Sequence, residues 1–472
     1  MLEARARGEI FACFHGYDVG LGTFSANAAN RAQQLRTGLP FASFASGRRS
    51  TDRDIDLLVR RLARRGLIEY ALRRADKDLV VVEPQIADYW PRTAPLGNND
   101  ALVLSRFAYM RRRGSELVLE SPRAGALFKI CDPGIAAALA NVSAPQKIKQ
   151  LRKQNGFPGV EFLALLVDCQ ILFKVDPTKK NSLRSAEGDD ELIVWDFHDL
   201  LFHTRSTEGR HANPLGGTYP HAGMIAPLPA IRPRWPGKKI DLRELAAPAE
   251  EVSRVTKLLR QRRSTRSFDD RRPITLAELA QFLDGTARVL SQAIGAGDPS
   301  EGIPAIAYTV RPYPSAGASY ELELYLAVKS CEGLAPGFYH YDAGEHALTL
   351  IDVAENALAV LLTGAQYAMG ADQTPQLLIT IAARFGRVSW KYSALAYSLI
   401  LKDSGVLLQT FYLMATAMGL GGCAIGIANI DLFAKMTGID FHVEGPLGQF
   451  ALGRGAETAS LSADAKADHK ET

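Results

Sequence analysis

The chain has 472 residues, 47% of them hydrophobic and 22% charged, enough apolar content for two to four cored domains and too much for a largely disordered polymer. A net charge of +4 is too small to imply nucleic acid by itself, although arginine is dense before about residue 115. The five cysteines (Cys13, Cys131, Cys169, Cys331, Cys423) form no CxxC pair, which argues against a zinc ribbon or a disulfide framework and for a reducing, cytoplasmic setting.

The first twenty residues, MLEARARGEIFACFHGYDVG, lack a continuous apolar core, so no signal peptide is expected. Ser50 or Thr51 can cap a helix in which Ile55, Leu58, Val59 and Leu62 form an apolar stripe, and Gly66 supplies a left-handed stop. Two strand-forming runs, LIEYAL and LVVVEP, then flank the polar RRADKD, giving a winged-helix pattern. A weaker echo follows, with GVEFLALLVD as a helix and ILFKVD, from Ile171, as a strand. These features divide the first half into a winged-helix-like module over 1–90 and a second over 91–212. Asp176 to Asp190 reads as loop, and the Pro- and Gly-rich stretch 213–241 as linker. His198, His203, His211 and His221 match no common zinc spacing, and no metal site is expected.

The second half, 242–459, alternates helix and strand and predicts an α+β domain with helices around a mixed β-sheet. Glu251 to Arg262 is helical, with Val252, Val255 and Leu259 on one face. Thr275 and Glu278 form a capping box. Glu321 to Leu326 alternates as a half-buried strand, and GFYHYDAGEHALTLI is a hairpin turning at Asp342 to Glu345. Strands at Leu377 to Ala383 and Gln449 to Leu452 bracket a long apolar helix, Ser393 to Met418. Ser404 to Ile430 carries no charge, but Gln409 and three glycines interrupt it, so a buried helix, turn and strand are read there rather than a membrane span. The segment 460–472 reads as a flexible tail.

Three segments carry chemistry. RRSTRSF sets Arg262, Arg263, Ser264 and Arg266 within five residues where a helix ends, a set of guanidinium forks and a hydroxyl suited to a phosphate; alone it reads equally as a solvated basic turn. PSAG (Pro314, Ser315, Ala316, Gly317) is a tight turn whose backbone can approach a ligand. Lys391 and Tyr392 pair a base with a phenol before the long helix, which ends at GLGGCAIG (Gly419 to Gly426). That turn lacks GxGxxG after a strand, so no dinucleotide fold is indicated.

In this order the three segments resemble the flavin site of the nitroreductase family, and the Lys391–Tyr392 pair resembles that of its peptide-modifying branch, the SagB-type azoline dehydrogenases. WDFHDLLFHTRS (Trp195 to Ser206) also resembles that branch. The resemblance implies FMN as cofactor, a homodimer, and phosphate contacts from Arg262, Arg263, Ser264 and Arg454. It further implies Arg266 near the flavin ring, backbone from Ala424, Ile425 and Gly426 alongside it, and PSAG reaching the flavin of the partner subunit. Its implied activity is oxidation of thiazoline or oxazoline rings in a ribosomal precursor peptide, beside a YcaO-type cyclodehydratase. Aromatising such a ring removes a proton from one carbon and a hydride from its neighbour, so the protein must supply a base, here Lys391 or Tyr392. The residues after that pair, SALAYSLILKDSGVLLQ, lack the Arg-Tyr and Gly-His pairs of many relatives. Two other classes fit parts of the chain. One is an NAD(P)H-dependent nitro or quinone reductase. The other is a winged-helix DNA-binding regulator using Arg60, Arg61, Arg64, Arg65, Arg73 and Arg74, although the small net charge disfavours a nucleic-acid partner.

Overall fold

The computed structural model describes residues 2–14, 18–45, 49–87, 89–175, 190–211, 219, 221–232, 240–242, 253–297, 300 and 304–456. Most of the loop 176–190, most of the linker and the tail 460–472 lie outside them. The chain forms two compact units, one of 1–205 with 209–212, the other of 206–208 with 213–472.

In the first unit, β1 (Leu2–Ala4), β2 (Glu9–Cys13) and β3 (Asp18–Thr23) form an antiparallel sheet followed by α1 (Ala26–Ala32) and α2 (Ser50–Ala63). Ile55, Leu58, Val59 and Leu62 of α2 are buried against Ile10, Leu21 and Phe24, as the apolar stripe predicts. The expected cap is absent: α2 begins at Ser50 itself, after Arg49, with no side chain accepting its first N–H groups. Gly66 has φ +63°, the left-handed stop. The hairpin β4 (Tyr70–Arg74) and β5 (Lys77–Pro84) follows.

β6 (Ala101–Leu104), β7 (Tyr109–Arg113), β8 (Glu116–Glu120) and β9 (Ala126–Ile130) lead to α3 (Pro133–Ala140), β10 (Gln146–Lys147) and α4 (Ile148–Leu151). α5 (Val160–Asp168), β11 (Leu172–Val175) and α6 (Phe197–Ser206) complete the unit's elements. The strand order β4-β5-β9-β8-β7 runs across residue 90, so one sheet draws strands from both expected modules. The strand from Ile171 takes β6 as its partner, with β10 on the other edge of β6.

The second unit begins with α7 (Arg254–Gln261), capped by Ser253, whose hydroxyl accepts from the Thr256 N–H. Glu251 and Val252 of the expected helix lie outside the described residues. α8 (Leu276–Ala287) starts on the Thr275–Glu278 capping box. The ribbon β12 (Ser291–Gly295) and β13 (Ile306–Val310) precedes β14 (Leu322–Val328), β15 (Gly337–Asp342) and β16 (Ala347–Ile351). Next come α9 (Glu355–Met369), β17 (Leu377–Arg384), α10 (Phe385–Ser389), α11 (Ala396–Ala417), β18 (Gly421–Ile425), α12 (Ile430–Thr437) and β19 (Glu444–Gly453).

The main sheet has the order β16-β15-β14-β17-β19-β18. Where the sequence led to a mixed sheet, all its pairings are antiparallel, because β14, β15 and β16 are joined by short turns that reverse the chain and the later strands enter in alternating directions. β19 is buried along its whole length and sits between β17 and β18. Its side chains alternate between two covered faces. Phe450 packs on Phe282 of α8 and Phe411 of α11, while Ala451 joins Tyr325, Leu378 and Cys423 under α9 and α12. Beyond β19, Gly455 bridges back to Phe268, and the Asp269 N–H donates to the Arg454 carbonyl at 2.9 Å.

Among the described residues no helix is long and apolar enough to cross a membrane. α11 shows why its composition misleads. Tyr397, Ile400, Leu407, Phe411 and Ala415 form one buried stripe, whereas Gly405, Val406 and Gln409 on the opposite side are exposed.

Candidate functional site

All the segments singled out in the second unit converge on α11, but at two separate places. Towards its C-terminal end the organiser is Tyr412. Its hydroxyl lies 2.8 Å from Ser264 Oγ and accepts the Ala424 N–H at 2.9 Å, and its ring centre is 5.0 Å from the Arg262 guanidinium carbon. Thr265 N–H donates to the Gly422 carbonyl at 2.8 Å, so RRSTRSF runs alongside β18. Gly421 is the residue that permits this: a Cβ there would stand 2.6 Å from Thr265 Cγ2.

Arg262 is half-buried while Arg263 and Arg266 are exposed. Among the described residues none of the three has a carboxylate partner, which leaves three guanidinium groups to receive an anion. Arg454 is placed differently. Its Nη2 holds both Glu278 oxygens, at 2.7 and 2.8 Å, and so completes the capping box of α8 instead of standing free. Ala424 and Ile425 lie in β18 with Phe450 and Gln449 opposite, and Gly426 is exposed just beyond the strand.

The second place is near the start of α11. Lys391 and Tyr392 sit in the turn between α10 and α11, where both N–H groups donate to the Val388 carbonyl at 2.9 Å. Adjacent residues on a helix diverge, but in this turn both side chains reach Gly317 of PSAG. Lys391 Nζ donates to the Gly317 carbonyl at 3.2 Å and lies 5.4 and 5.7 Å from the ring centres of Tyr392 and Tyr308. Gly317 has φ +57°, and a Cβ on it would collide with the Tyr392 hydroxyl and stand 2.7 Å from Lys391 Nζ. A Cβ here would push the ends of both side chains aside, on top of its strain at this φ.

PSAG itself is pinned from below. Asp403 of α11 accepts the Ser315 hydroxyl at 2.9 Å and the Ala316 N–H at 2.8 Å. Ser315 Oγ also accepts the Tyr320 N–H at 2.9 Å and lies 3.2 Å from Glu321 Oε2. Glu321 is fully buried, and burial, with Asp403 beside it, pushes its carboxyl up to about 7.

Sequence reasoning missed Tyr412, Asp403 and Glu321. Tyr412 sits in the apolar run FYLMATA with nothing to mark it. Asp403 carried a usable signal, since an acid on the buried stripe of an apolar helix demands a partner. Nine residues, about 13 Å of helix rise, separate Asp403 from Tyr412.

In the first unit the arginines of the suggested basic face are partly engaged internally. Arg60 pairs with Asp56 at 2.8 Å and stacks over Trp90, Arg73 pairs with Asp78 at 2.8 Å, and Arg61 donates to the Leu21 carbonyl. Of the histidines, His198 bonds Asp196 at 3.1 Å and His203 stacks on Trp195. Among the described residues no cluster of three or more His, Cys, Asp or Glu side chains could hold a metal ion.

Comparison with known proteins finds the following similarities. Residues 259–454 match the family model described as the nitroreductase family, and residues 102–212 match one described as cyanobactin oxidase ThcOx. A Methanocaldococcus jannaschii protein named as a nitroreductase is 31% identical over 186 residues, 39% of this chain and 85% of that protein. Among solved structures, the Escherichia coli microcin synthetase McbBCD complex with truncated pro-MccB17 bound aligns over 57% of this chain and 97% of that one. Its identity is 19% and its TM-score 0.41. A nitroreductase structure from Ralstonia eutropha JMP134 aligns over 45% and 89%, at 23% identity and a TM-score of 0.34.

Proposed function

The chain belongs to the nitroreductase family and is an oxidoreductase, and on that premise we propose that it is an FMN-dependent dehydrogenase converting thiazoline or oxazoline rings of a ribosomally made peptide to thiazole or oxazole. The observation that carries the reading is the convergence of Lys391 and Tyr392 on Gly317, which gathers a cation, a phenol and a side-chain-free backbone edge at one point. The match of residues 102–212 to a cyanobactin oxidase model supports a peptide-derived substrate.

The residues fit a flavin phosphate: Arg262, Arg263 and Arg266 are cations without carboxylate partners among the described residues, and Ser264 adds a hydroxyl beside them. When bound, FMN would accept the hydride released by the ring. Arg262, Arg263 and Ser264 hold its phosphate in this reading, and Arg266 faces the ring edge. Tyr392 or Lys391 takes the ring proton. The Gly317 carbonyl orients Lys391 for this role.

A homodimer follows from the same reading. The phosphate group and the Lys391–Tyr392 group lie apart along one helix, and a second copy would bring PSAG of one chain to the phosphate group of the other. Val255 and Leu259, 59% and 47% exposed on α7, offer apolar surface for that contact. The partners in this reading are the precursor peptide and a YcaO-type cyclodehydratase, in the cytoplasm. The test is direct: the purified chain, incubated with an azoline-containing peptide, is assayed by mass for loss of two hydrogens per ring. Reduction of small quinones by NAD(P)H with no peptide oxidation would instead favour the generic reductase.

A further inference from the structure

We propose that Glu321 and Asp403 share one proton through Ser315, and that this shared proton latches PSAG in the shape that presents the Gly317 carbonyl to Lys391. The role assigned to Lys391 rests on the dehydrogenase reading; the latch does not.

Ser315 Oγ accepts the Tyr320 N–H at 2.9 Å, which leaves its single hydroxyl hydrogen to give. Two carboxylate oxygens compete for it, Asp403 Oδ2 at 2.9 Å and Glu321 Oε2 at 3.2 Å. Asp403 Oδ2 also receives the Ala316 N–H, whereas Glu321 Oε1 is buried with no partner at all. With both acids ionised, two buried negative charges would meet over one hydroxyl hydrogen, and Glu321 would have no side-chain donor. A proton on Glu321 Oε2 resolves the arrangement. The Glu321 O–H donates to Ser315 Oγ, and the Ser315 O–H donates to Asp403 Oδ2, so Oε2, Oγ and Oδ2 are matched and Glu321 Oε1 is left as an uncharged carbonyl oxygen.

No nearby cation relieves the pair. Among the described residues no ammonium or guanidinium group lies within ion-pair distance of either acid. Arg311 Nη1 donates to the Leu322 carbonyl, and its Nε is buried without a partner. Arg384 turns its guanidinium to Glu323, and Arg387 donates to the Ser319 carbonyl. Tyr313, with its hydroxyl buried and unbonded, and Tyr320 complete the groups facing Glu321 from its own strand approach. Lys391 and Tyr392 face the other side of the turn.

Mechanically, Asp403 and Ser315 hold the two ends of one short turn. Asp403 fixes the Ala316 N–H and Ser315 fixes the Tyr320 N–H, with Gly317 between them. Loss of the proton sets the two charges against each other across Ser315, loosens the turn and moves the Gly317 carbonyl away from Lys391. Glu321 is therefore a positioning residue, and it acts through PSAG.

Hydrogen–deuterium exchange of the full chain tests the latch without any peptide substrate. The segment from Pro314 to Leu322 should be protected near about pH 6 and lose roughly tenfold protection, after correction for intrinsic rates, near about pH 8.5. Glu321→Gln keeps a donor and no charge, so its protection should persist across the same range; Glu321→Leu should lack it throughout. Infrared spectra should show a protonated carboxyl band near about pH 6 in the wild type that Glu321→Gln removes. With an azoline peptide, wild-type turnover should fall about tenfold per pH unit above this titration, and Glu321→Gln should abolish that limb. Absence of the band, or equal protection of wild type and Glu321→Gln at both pH values, would overturn the proposal. A band and a pH-dependent latch in a protein that oxidises no azoline would uphold the shared proton while removing the dehydrogenase reading.

Discussion

Tyr412 and Ser264 meet hydroxyl to hydroxyl at 2.8 Å, and through that contact the end of α11 fixes the arginine-rich turn 148 residues earlier in the chain. The same phenol oxygen takes the Ala424 N–H, so one side chain joins two of the three segments that the sequence singled out. Removing only the hydroxyl, in Tyr412→Phe, should cost two hydrogen bonds, together about 1–3 kcal/mol. The expected outcome is FMN affinity weakened by about one to two orders of magnitude in a fluorescence titration, with the fold retained.

The first test of the cofactor itself is simple. The purified protein should be yellow and release FMN, not FAD, on denaturation, and it should sediment as a dimer at micromolar concentration. Arg266→Ala should weaken flavin retention by about 1.5–3 kcal/mol, the worth of a charge-assisted contact. A colourless protein that FMN cannot reconstitute would refute the phosphate assignment.

Lys391→Ala and Tyr392→Phe should each lower azole formation by about 10²–10⁴-fold while leaving FMN bound. Tyr392→Phe is the sharper of the two, since it keeps the ring and removes the group that sits against Gly317. Quinone reduction needs no base at this point and should survive both substitutions.

Gly317→Ala combines two penalties. The left-handed backbone at φ +57° costs about 1–2 kcal/mol for a residue with a Cβ, and the new methyl displaces Tyr392 and Lys391. The midpoint of thermal unfolding should drop by a few degrees, and azole formation should fall as far as in Tyr392→Phe. A fully active Gly317→Ala would show that the contact is not needed.

The buried carboxyl of Glu321 makes a signed prediction about stability. Its folded-state value is pushed up from 4.5 to about 7, first by burial and then by Asp403, so the folded protein keeps a proton that the unfolded chain gives up. Stability should be greatest below about pH 4.5 with respect to this group, fall as pH rises towards about 7, and level off above it. At 1.36 kcal/mol per pH unit, the shift from 4.5 to about 7 is worth roughly 3 kcal/mol. Denaturant titrations of Glu321→Gln should show that slope removed.

What the sequence revealed and what it hid divide along one physical line. The turn at Gly317 and the Thr275–Glu278 capping box were legible because their residue types announce local structure: a left-handed backbone and a helix start. The hairpin turning at Asp342 to Glu345 was legible from period-two alternation and is found as β15 and β16. Tyr412, Asp403 and Glu321 act through partners 6 to 148 residues away, and nothing in their immediate neighbours encodes those partners. Arg454 likewise has a distant partner. Its position after the last strand suits a phosphate ligand, but Glu278, 176 residues earlier, holds its guanidinium. The exposed face of α11 was hidden for a related reason, because composition averages over all sides of a helix and burial does not.

The position of β19 bears on how the protein is made. β18 carries Ala424 and lies against the arginine-rich turn, yet among the described residues its only strand neighbour is β19, which follows it in the chain, and Gly455 then closes onto Phe268. During synthesis, everything up to Ile425 can leave the ribosome while β18 remains an unpaired edge beside an open β17. The surroundings of the arginine-rich turn therefore cannot set until Gly453 has emerged, and until then two apolar strand edges stand available to other chains. Ribosome-stalled nascent chains ending before β19 should thus be protease-sensitive and aggregation-prone, whereas release of a few dozen further residues should let the whole unit close in one late cooperative step.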